Sequence, residues 1–454
     1  MTQSTDTALG TEKISSLMLR LCVPAVAAQL VNVLYNVVDR IYIGQGVGPL
    51  ALTGLGVCMP ILLLISAFSS FAGMGGAPLA AIRLGAGDKD GAEKILGNST
   101  TMLLFLSVVL TAVFQIFKTP LLYAFGASDS LVGYAGDYIT VYLWGTVFVQ
   151  LSLGLNTFIS AQGNAKTAMY SVLLGAGVNI VLDPIFIFGF GMGVRGAALA
   201  TIISQGCSAV WVVAYLTGHK TVLRLRRCNM RPHARTIGKI AALGISPFIM
   251  QSTESLVSIT MNTGLQRYGG DLYVGSMTVL QSVMQMLVMP IQGFAQGVQP
   301  IISYNYGARQ PARVKEAFRK MLRISFGLTC VISLLCLFIP GVFARMFTED
   351  AQLIALVKKV MPLFMAGMWA FGAQMACQTT FMGLGQAKIS LFLALLRKVI
   401  LLIPLALVLP KVTQNVMGIY AAEPIADIVA AGVTLTAFIL SSKKLLAVPE
   451  NSVQ

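Results

Sequence analysis

The sequence predicts an all-α membrane protein of twelve transmembrane helices, arranged as two six-helix lobes related by a parallel internal repeat. Three observations predict it. Hydrophobic residues make up 56% of the 454 and charged residues only 11%, with a mean hydropathy of +0.78, a balance that leaves a soluble domain no hydrated surface. Twelve mostly apolar runs each supply the roughly 20 residues that a helical span needs, and all are far too long for barrel strands. Landmark residues recur 222 positions apart: Pro78 with Pro300, Gly85 with Gly307, Gly163 with Gly385 and Gly196 with Gly418.

The spans are expected near 18–43, 52–82, 95–117, 131–157, 165–190, 194–217, 238–266, 272–304, 318–341, 354–383, 387–409 and 415–440. Six precede the basic stretch His219 to Lys239 and six follow it, so both halves enter the membrane in the same orientation, as a parallel repeat requires. The domain reading is an amino-terminal lobe at 1–218, a basic cytoplasmic linker at 219–237 and a carboxy-terminal lobe at 238–454. With a cytoplasmic N-terminus, inward segments hold 22 of the 32 Lys and Arg, while outward loops and span ends hold only Lys118, Arg195, Arg267, Arg345, Lys358, Lys359 and Lys411. The positive-inside rule then places both termini in the cytoplasm of a multi-pass plasma-membrane protein.

The net charge of +15 is explained by those short loops, which carry no aromatic interleaving and no nucleic-acid-binding motif, so no nucleic-acid partner is expected. The polar start MTQSTDTALGTEK lacks the pattern of a cleaved signal peptide. Seven cysteines are scattered without metal-ligand spacing, and both histidines, His219 and His233, lie in the central basic loop. Proton or cation chemistry inside the spans therefore falls to carboxylates.

Six acids lie within the apolar spans: Asp39, Asp137, Asp183, Glu254, Glu423 and Asp427. Each costs about 2.5–3.5 kcal/mol at mid-bilayer on insertion scales, so it needs a partner, a proton or a hydrated cavity. In the first span Gln29, Asn32, Asn36 and Asp39 share one helical face, which reads either as cavity lining or as a polar seam between helices. Asp137 is placed near the outer end of the fourth span, where it reads as interfacial and structural. The fifth carries Asn179 and Asp183 one turn apart, followed by Pro184, which releases the carbonyl of Ile180 from its helical bond. Such an oxygen-only cluster suits Na⁺, and two neighbouring carboxylates alternatively share a proton. On the sixth span Thr201 and Gln205 are one turn apart; Thr201 either completes that site or back-bonds to its own helix.

In the second half Gln251, Glu254, Ser258 and Asn262 stripe the seventh span, and Gln281, Gln285, Gln292, Gln296 and Gln299 stripe the eighth. Met250, Met261, Met277, Met284, Met286 and Met289 crowd the same region; flexible thioethers suit either a promiscuous apolar surface or ordinary packing. Glu423 and Asp427 on the twelfth span attract a cationic substrate or pair with Arg397 and Lys398, internal pairing being expected for at least one of them. Gln29, Asn32, Asn36, Glu254, Gln281, Met284, Gln285, Glu423 and Asp427 are thus the candidate cavity residues. The repeat sharpens the contrast between halves: Asp183 falls opposite Leu405, and Glu423 and Asp427 fall opposite Thr201 and Gln205.

Several stretches carry a resemblance: NVVDRIYIGQGVGPLALTGLG at 36–56, LGAGDKDGAEK at 84–94, ISAQGNAK at 159–166, NIVLDPIFIFGFGMGVRGAALAT at 179–201 and FMGLGQAK at 381–388. Across both halves the chain resembles the multidrug and toxic compound extrusion (MATE) transporters. That resemblance implies two lobes around a central cleft, alternating between inward-open and outward-open states and exporting cationic amphipathic small molecules against H⁺ or Na⁺. It implies no cofactor beyond the coupling ion, and the chain is expected to act as a monomer in the lipid bilayer. In the family branch with an amino-terminal-lobe cation site, the matching positions are Asp39, Asn179, Asp183 and Thr201. In another branch acids stand on helices 7 and 10; Glu254 matches the first, but the tenth span offers only Gln374 and Gln378, so ion coupling is assigned to the amino-terminal lobe.

Other readings are weaker. The major facilitator architecture also has twelve spans in parallel halves, but its basic loop after the second helix is replaced by GAGDKDGAEK. A lipid-linked oligosaccharide flippase calls for a cationic cavity, whereas acids and amides dominate here. A channel or sensor calls for a filter-like loop or a signalling domain, and an enzyme for a nucleophile with its base or a phosphate loop; none stands out, and no enzymatic activity is expected.

Overall fold

The computed structural model describes residues 8–125, 127–347 and 349–445. Among them it is helical throughout, as the length of the apolar runs requires. The amino-terminal half comprises α1 (Ile14–Gly46), α2 (Pro49–Gly85), α3 (Lys89–Ala124), α4 (Asp129–Trp144), α5 (Thr146–Ala161), α6 (Ala165–Pro184) and α7 (Gly193–Thr217). The carboxy-terminal half comprises α8 (Ala234–Gly269), α9 (Asp271–Gly307), α10 (Pro311–Phe338), α11 (Pro340–Phe347), α12 (Ala351–Phe364), α13 (Met368–Gly383), α14 (Ala387–Leu395), α15 (Ile403–Thr413) and α16 (Met417–Leu445). Ten helices are long and apolar enough to cross a membrane, and α4 with α5 makes an eleventh, bent by 60°. The one expected span not among these eleven, the seventh (α8), has 36 residues, ample length, but the polar stripe from Gln251 to Asn262 lowers its hydropathy. The chain is a multi-pass membrane protein.

The fourth span, expected to run unbroken over 131–157, instead turns at Gly145, and the tenth has a single 3₁₀ turn ending at Gly367. The cause is packing, and it is duplicated. A Cβ on Gly145 would overlap the side chain of Ile202, and a Cβ on Gly367 would overlap the backbone of Pro424. Both the glycines and the residues they press on are 222 positions apart, so each lobe breaks a helix to let the sixth or twelfth span approach. Two further irregularities fall in the same pair of spans but not at equivalent positions: π-helical turns at Ile185–Gly189 and Leu396–Leu402 interrupt the fifth and eleventh spans. The first follows Pro184, which cannot donate the hydrogen bond that would continue the α pitch.

The lobes pack together at one end only. At the end where α1 and α8 begin, helices cross without side chains between them: a Cβ on Gly85 would overlap the carbonyl of Tyr304, and one on Gly307 would overlap that of Ile82. Deeper in, Gly75 lies against Gly244, and Gly297 lies against Cys22. Every one of these contacts has its mate 222 residues away, as a pseudo-twofold interface demands. Apolar clusters at this end mix the halves: Ile240 packs with Ala72 and Leu96, and Leu17 and Leu21 pack with Val298 and Ile301. At the opposite end each lobe keeps its own core, around Ile61 and Tyr138 in one and Met261 and Tyr420 in the other.

Two straps cross the closed end. Ahead of α1, the carbonyl of Leu9 accepts from Asn305 at 3.0 Å and Arg313 at 3.1 Å, and Arg313 also donates to the Glu12 carbonyl at 2.7 Å. Ahead of α8, Thr101 donates to the Met230 carbonyl at 2.6 Å, the His233 amide donates to Asn98 at 2.7 Å, and Arg226 pairs with the buried Glu93 at 3.2 Å. The segment leading into each half is therefore fastened to the other half. Much of the basic charge read from the sequence, at 220–239 and 309–323, gathers here.

Candidate functional site

Asp39 and Asp183 come from helices that pack along their length, α1 and α6, and are 9% and 0% exposed. Their carboxyl groups are near enough to interact electrostatically. Asn179, one turn before Asp183 on α6, donates to Asp183 Oδ1 at 3.3 Å. Among the described residues, three buried oxygens around this point have no hydrogen-bond partner: Asp39 Oδ1, Asn179 Oδ1 and Asp183 Oδ2. A buried acceptor left unpaired costs about 1–3 kcal/mol, and more when charged, so the arrangement is stable only with something supplied to those oxygens. A proton shared between the carboxyls or a small hard cation held by the three oxygens meets that need.

Thr201 is brought to this locality, where its hydroxyl donates to the Ala197 carbonyl at 3.0 Å within its own helix and keeps its oxygen lone pairs available. The fourth expected ligand is thus a back-bonded threonine, because a hydroxyl in an apolar helix finds the carbonyl four residues earlier before any other acceptor. Two tyrosines that sequence reasoning did not select complete the surround. Tyr35 interacts with Asp39 and Asp183, and Tyr138 with Thr201 and Asp39. The signal for Tyr35 was present, since it precedes Asp39 by one turn on the polar face of α1; Tyr138 depends on the packing of α4 and has no such periodicity.

The remaining polar residues of α1 divide. Asn36 donates to its own helix at the Asn32 carbonyl, 2.6 Å away, whereas Gln29 donates across the lobes to Gln296 at 3.1 Å. Gln29 thus acts as a seam, and Gln251 does the same by donating to Ser70 at 2.7 Å. Asp137 is at an exposed end, paired with Arg195 at 2.7 Å.

The three acids within the second-lobe spans, Glu254, Glu423 and Asp427, are ion-paired. Arg397 binds Asp427 through Nε at 2.6 Å and Glu423 through Nη2 at 3.1 Å, with all three side chains under 10% exposed. Its guanidinium also lies 4.9 Å from the centre of the Phe371 ring. Lys398 pairs with Glu254 and donates to the Met250 carbonyl at 3.3 Å. Glu423 and Asp427 are accordingly neutralised inside the lobe, while Glu254 remains largely exposed. Ser258 donates to Gln281 at 3.4 Å, and Gln285 is exposed. The methionine surface is smaller than expected: Met261 and Met277 are fully within the second-lobe core, and Met284 and Met286 pack on that core. Unbranched thioethers fill the irregular gaps there.

The model of one family, MatE, matches twice, at residues 24–185 and 247–408, once in each half. The chain belongs to the MatE family. Among MATE relatives, the multidrug export protein MepA of Staphylococcus haemolyticus (strain JCSC1435) is 24% identical over 393 residues, covering 86% of each chain. MepA of Staphylococcus aureus (strain N315) is 24% identical over 386 residues, covering 85% of each. A MATE crystal structure in the bent conformation superposes with a TM-score of 0.91 at 25% identity, over 98% of this chain and 99% of that one. An outward-facing multidrug resistance MATE family transporter of the MOP superfamily gives 0.89 at 25% identity, over 96% and 98%. A MOP superfamily transporter from Pyrococcus furiosus, whose binding pocket is described as having reverse polarity, suggesting a different function, gives 0.91 at 25% identity, over 97% and 98%.

Proposed function

We propose that this MATE protein exports cationic amphipathic small molecules by antiport, exchanging them for H⁺ or Na⁺ bound at Asp39, Asn179 and Asp183. The observation that carries this reading is the trio of unpaired buried oxygens between α1 and α6. The multidrug export named for the MepA relatives supports the substrate class. Thr201 stays at the margin of the ion site, and Glu254 offers the exposed carboxylate facing the cleft. No cofactor beyond the coupling ion enters the mechanism, and one chain contains both the ion site and the cleft, so it acts as a monomer in the plasma membrane, with the basic end and both termini cytoplasmic.

The lobes act as two bodies. Lobes closed at the basic end and separate at the other leave the cleft facing outward in this orientation. An ion entering from outside binds the Asp39 and Asp183 carboxyls, and it favours whichever lobe arrangement binds it more tightly. Each 1.4 kcal/mol of differential affinity shifts the populations about tenfold. Loss of the ion to the cytoplasm and binding of the drug cation from that side complete the exchange.

A flippase for lipid-linked anions is the alternative that Arg397 and Lys398 raise, given the relative of reversed pocket polarity. The pairing of Arg397 with two carboxylates counts against it, because its charge is already neutralised. A channel or sensor is weaker still. Purified protein in proteoliposomes distinguishes these readings. Saturable ethidium transport that follows an imposed pH or Na⁺ gradient is expected; binding of a polyprenyl pyrophosphate without ethidium transport would replace the export reading with the flippase, and ungated passive ion flux would replace it with the channel.

A further inference from the structure

One place in the fold is hollow in the first lobe and filled in the second. Between α1, α5, α6 and α7 lies a polar cavity of about 40 Å³, lined among others by Asn32, Ser152, Asn156, Gly175, Ala176 and Gln205. That volume admits about two or three waters. The residues 222 positions later are Glu254, Gln374, Gln378, Arg397, Lys398 and Asp427. Where the first lobe has glycine and alanine, the second has its two deepest cations, and where the first has two amides, the second has two carboxylates. The second-lobe site is thus a polar cavity already occupied by side chains of the chain itself.

The two cations are held differently. Arg397 is fixed by both Asp427 and Glu423, has an aromatic ring under it, and lies under 10% exposed with its partners. Among the described residues Lys398 has one ion-pair partner, Glu254, whose side chain is 58% exposed. Its stem emerges from the π-helical turn at Leu396–Leu402, and its ammonium also reaches the Met250 carbonyl. Glu423 and Asp427 lie within its electrostatic reach, so an ammonium that leaves Glu254 has buried carboxylates to turn toward. Lys is suited to such movement, because its charge sits on a flexible four-carbon stem, unlike the planar fork of Arg.

We infer that Lys398 is a tethered cation occupying a substrate-charge subsite at Glu254, and that a cationic substrate takes this carboxylate by displacing it. The inference rests on the cation-export reading and specifies where the substrate charge is received. It accounts for the division of labour between lobes: the first keeps its oxygens free for an ion, and the second keeps its accessible carboxylate neutralised until a substrate arrives. An empty cleft then carries no bare acid, and neutral ligands gain nothing at this subsite.

The test is binding of tetraphenylphosphonium to the purified full-length protein in nanodiscs, with neutral triphenylphosphine oxide as control. Lys398→Met is expected to tighten tetraphenylphosphonium at least tenfold and leave the neutral compound unchanged. Glu254→Gln is expected to weaken the cation about tenfold, and in that background Lys398→Met should no longer tighten it, the non-additivity that marks a direct pair. Unchanged or weaker cation binding by a folded Lys398→Met overturns the inference while wild-type binding leaves the export reading standing. Should Lys398→Met not fold, unchanged affinity of Glu254→Gln overturns it alone. Absence of cation binding by wild type and variants alike removes the export reading as well.

Discussion

Arg397 on the π-helical turn of the eleventh span donates to Asp427 on α16 at 2.6 Å, both groups buried in the second lobe. Glu423 completes the triad from the preceding turn of α16. Removing the cation alone leaves two buried carboxylates without compensation, which typically costs about 3–5 kcal/mol. Arg397→Met is therefore expected to lower the melting temperature sharply in detergent. Replacing all three charges together, as Arg397→Met with Glu423→Gln and Asp427→Asn, should restore most of the loss; a triple variant as unstable as the single would show that the triad contributes more than mutual neutralisation.

Gly307 and Gly85 let α9 and α2 cross backbone to backbone at the basic end. A side chain at Gly307 must separate them, so Gly307→Val is expected to open that end. With the seven native cysteines replaced, a reporter from Ser70→Cys, at the residue that accepts from Gln251 across the lobes, should then react with a membrane-impermeant thiol reagent applied from the basic side. Equal protection of the reporter with and without Gly307→Val would mean that these crossings do not seal the end.

Thr201 gives a sharp expectation because its hydroxyl is already bonded to Ala197. Thr201→Val keeps the shape and removes that back-bond and the interaction with Tyr138, so gradient-driven transport should stay within about tenfold of wild type, since a neutral hydrogen bond contributes about 1 kcal/mol or less here. Measured initial rates reduced far beyond that would place the hydroxyl in the coupling ion's shell.

Arg313 ties the strap ahead of α1 to the second lobe through Leu9 and Glu12. Hydrogen bonds from a charged donor contribute about 1.5–3 kcal/mol each way of accounting, so Arg313→Ala should raise amide hydrogen exchange over residues 8–13 by one to two orders of magnitude. Unaltered protection would show that the Asn305 bond to Leu9 and the burial of Leu9 and Ile14 suffice to hold the strap.

How much of this was legible beforehand follows from which forces act locally. The duplicated frame was legible because Pro and Gly landmarks mark helix breaks and crossings, and the same spacing returns in Gly145 with Gly367. Asp39, Asn179 and Asp183 were legible because acids are too costly in an apolar span to stand there without a purpose. The back-bonding of Thr201 was an open alternative that only coordinates decide. The burial of Met261 and Met277 was not legible, since a methionine at a given face is equally at home in a core or a cleft. The break at Gly145 and the crossed straps depend on residues more than fifty positions apart, and no periodicity within one span reports them.

In the proposed exchange Asp39 and Asp183 hold the ion whose entry drives export. Asp183→Asn keeps size and hydrogen-bonding capacity while removing one charge from the site. In proteoliposomes of this variant, ethidium transport driven by an imposed pH or Na⁺ gradient should fall by at least two orders of magnitude, with ethidium binding retained. Coupled transport at the wild-type rate would contradict the account and remove Asp183 from the mechanism.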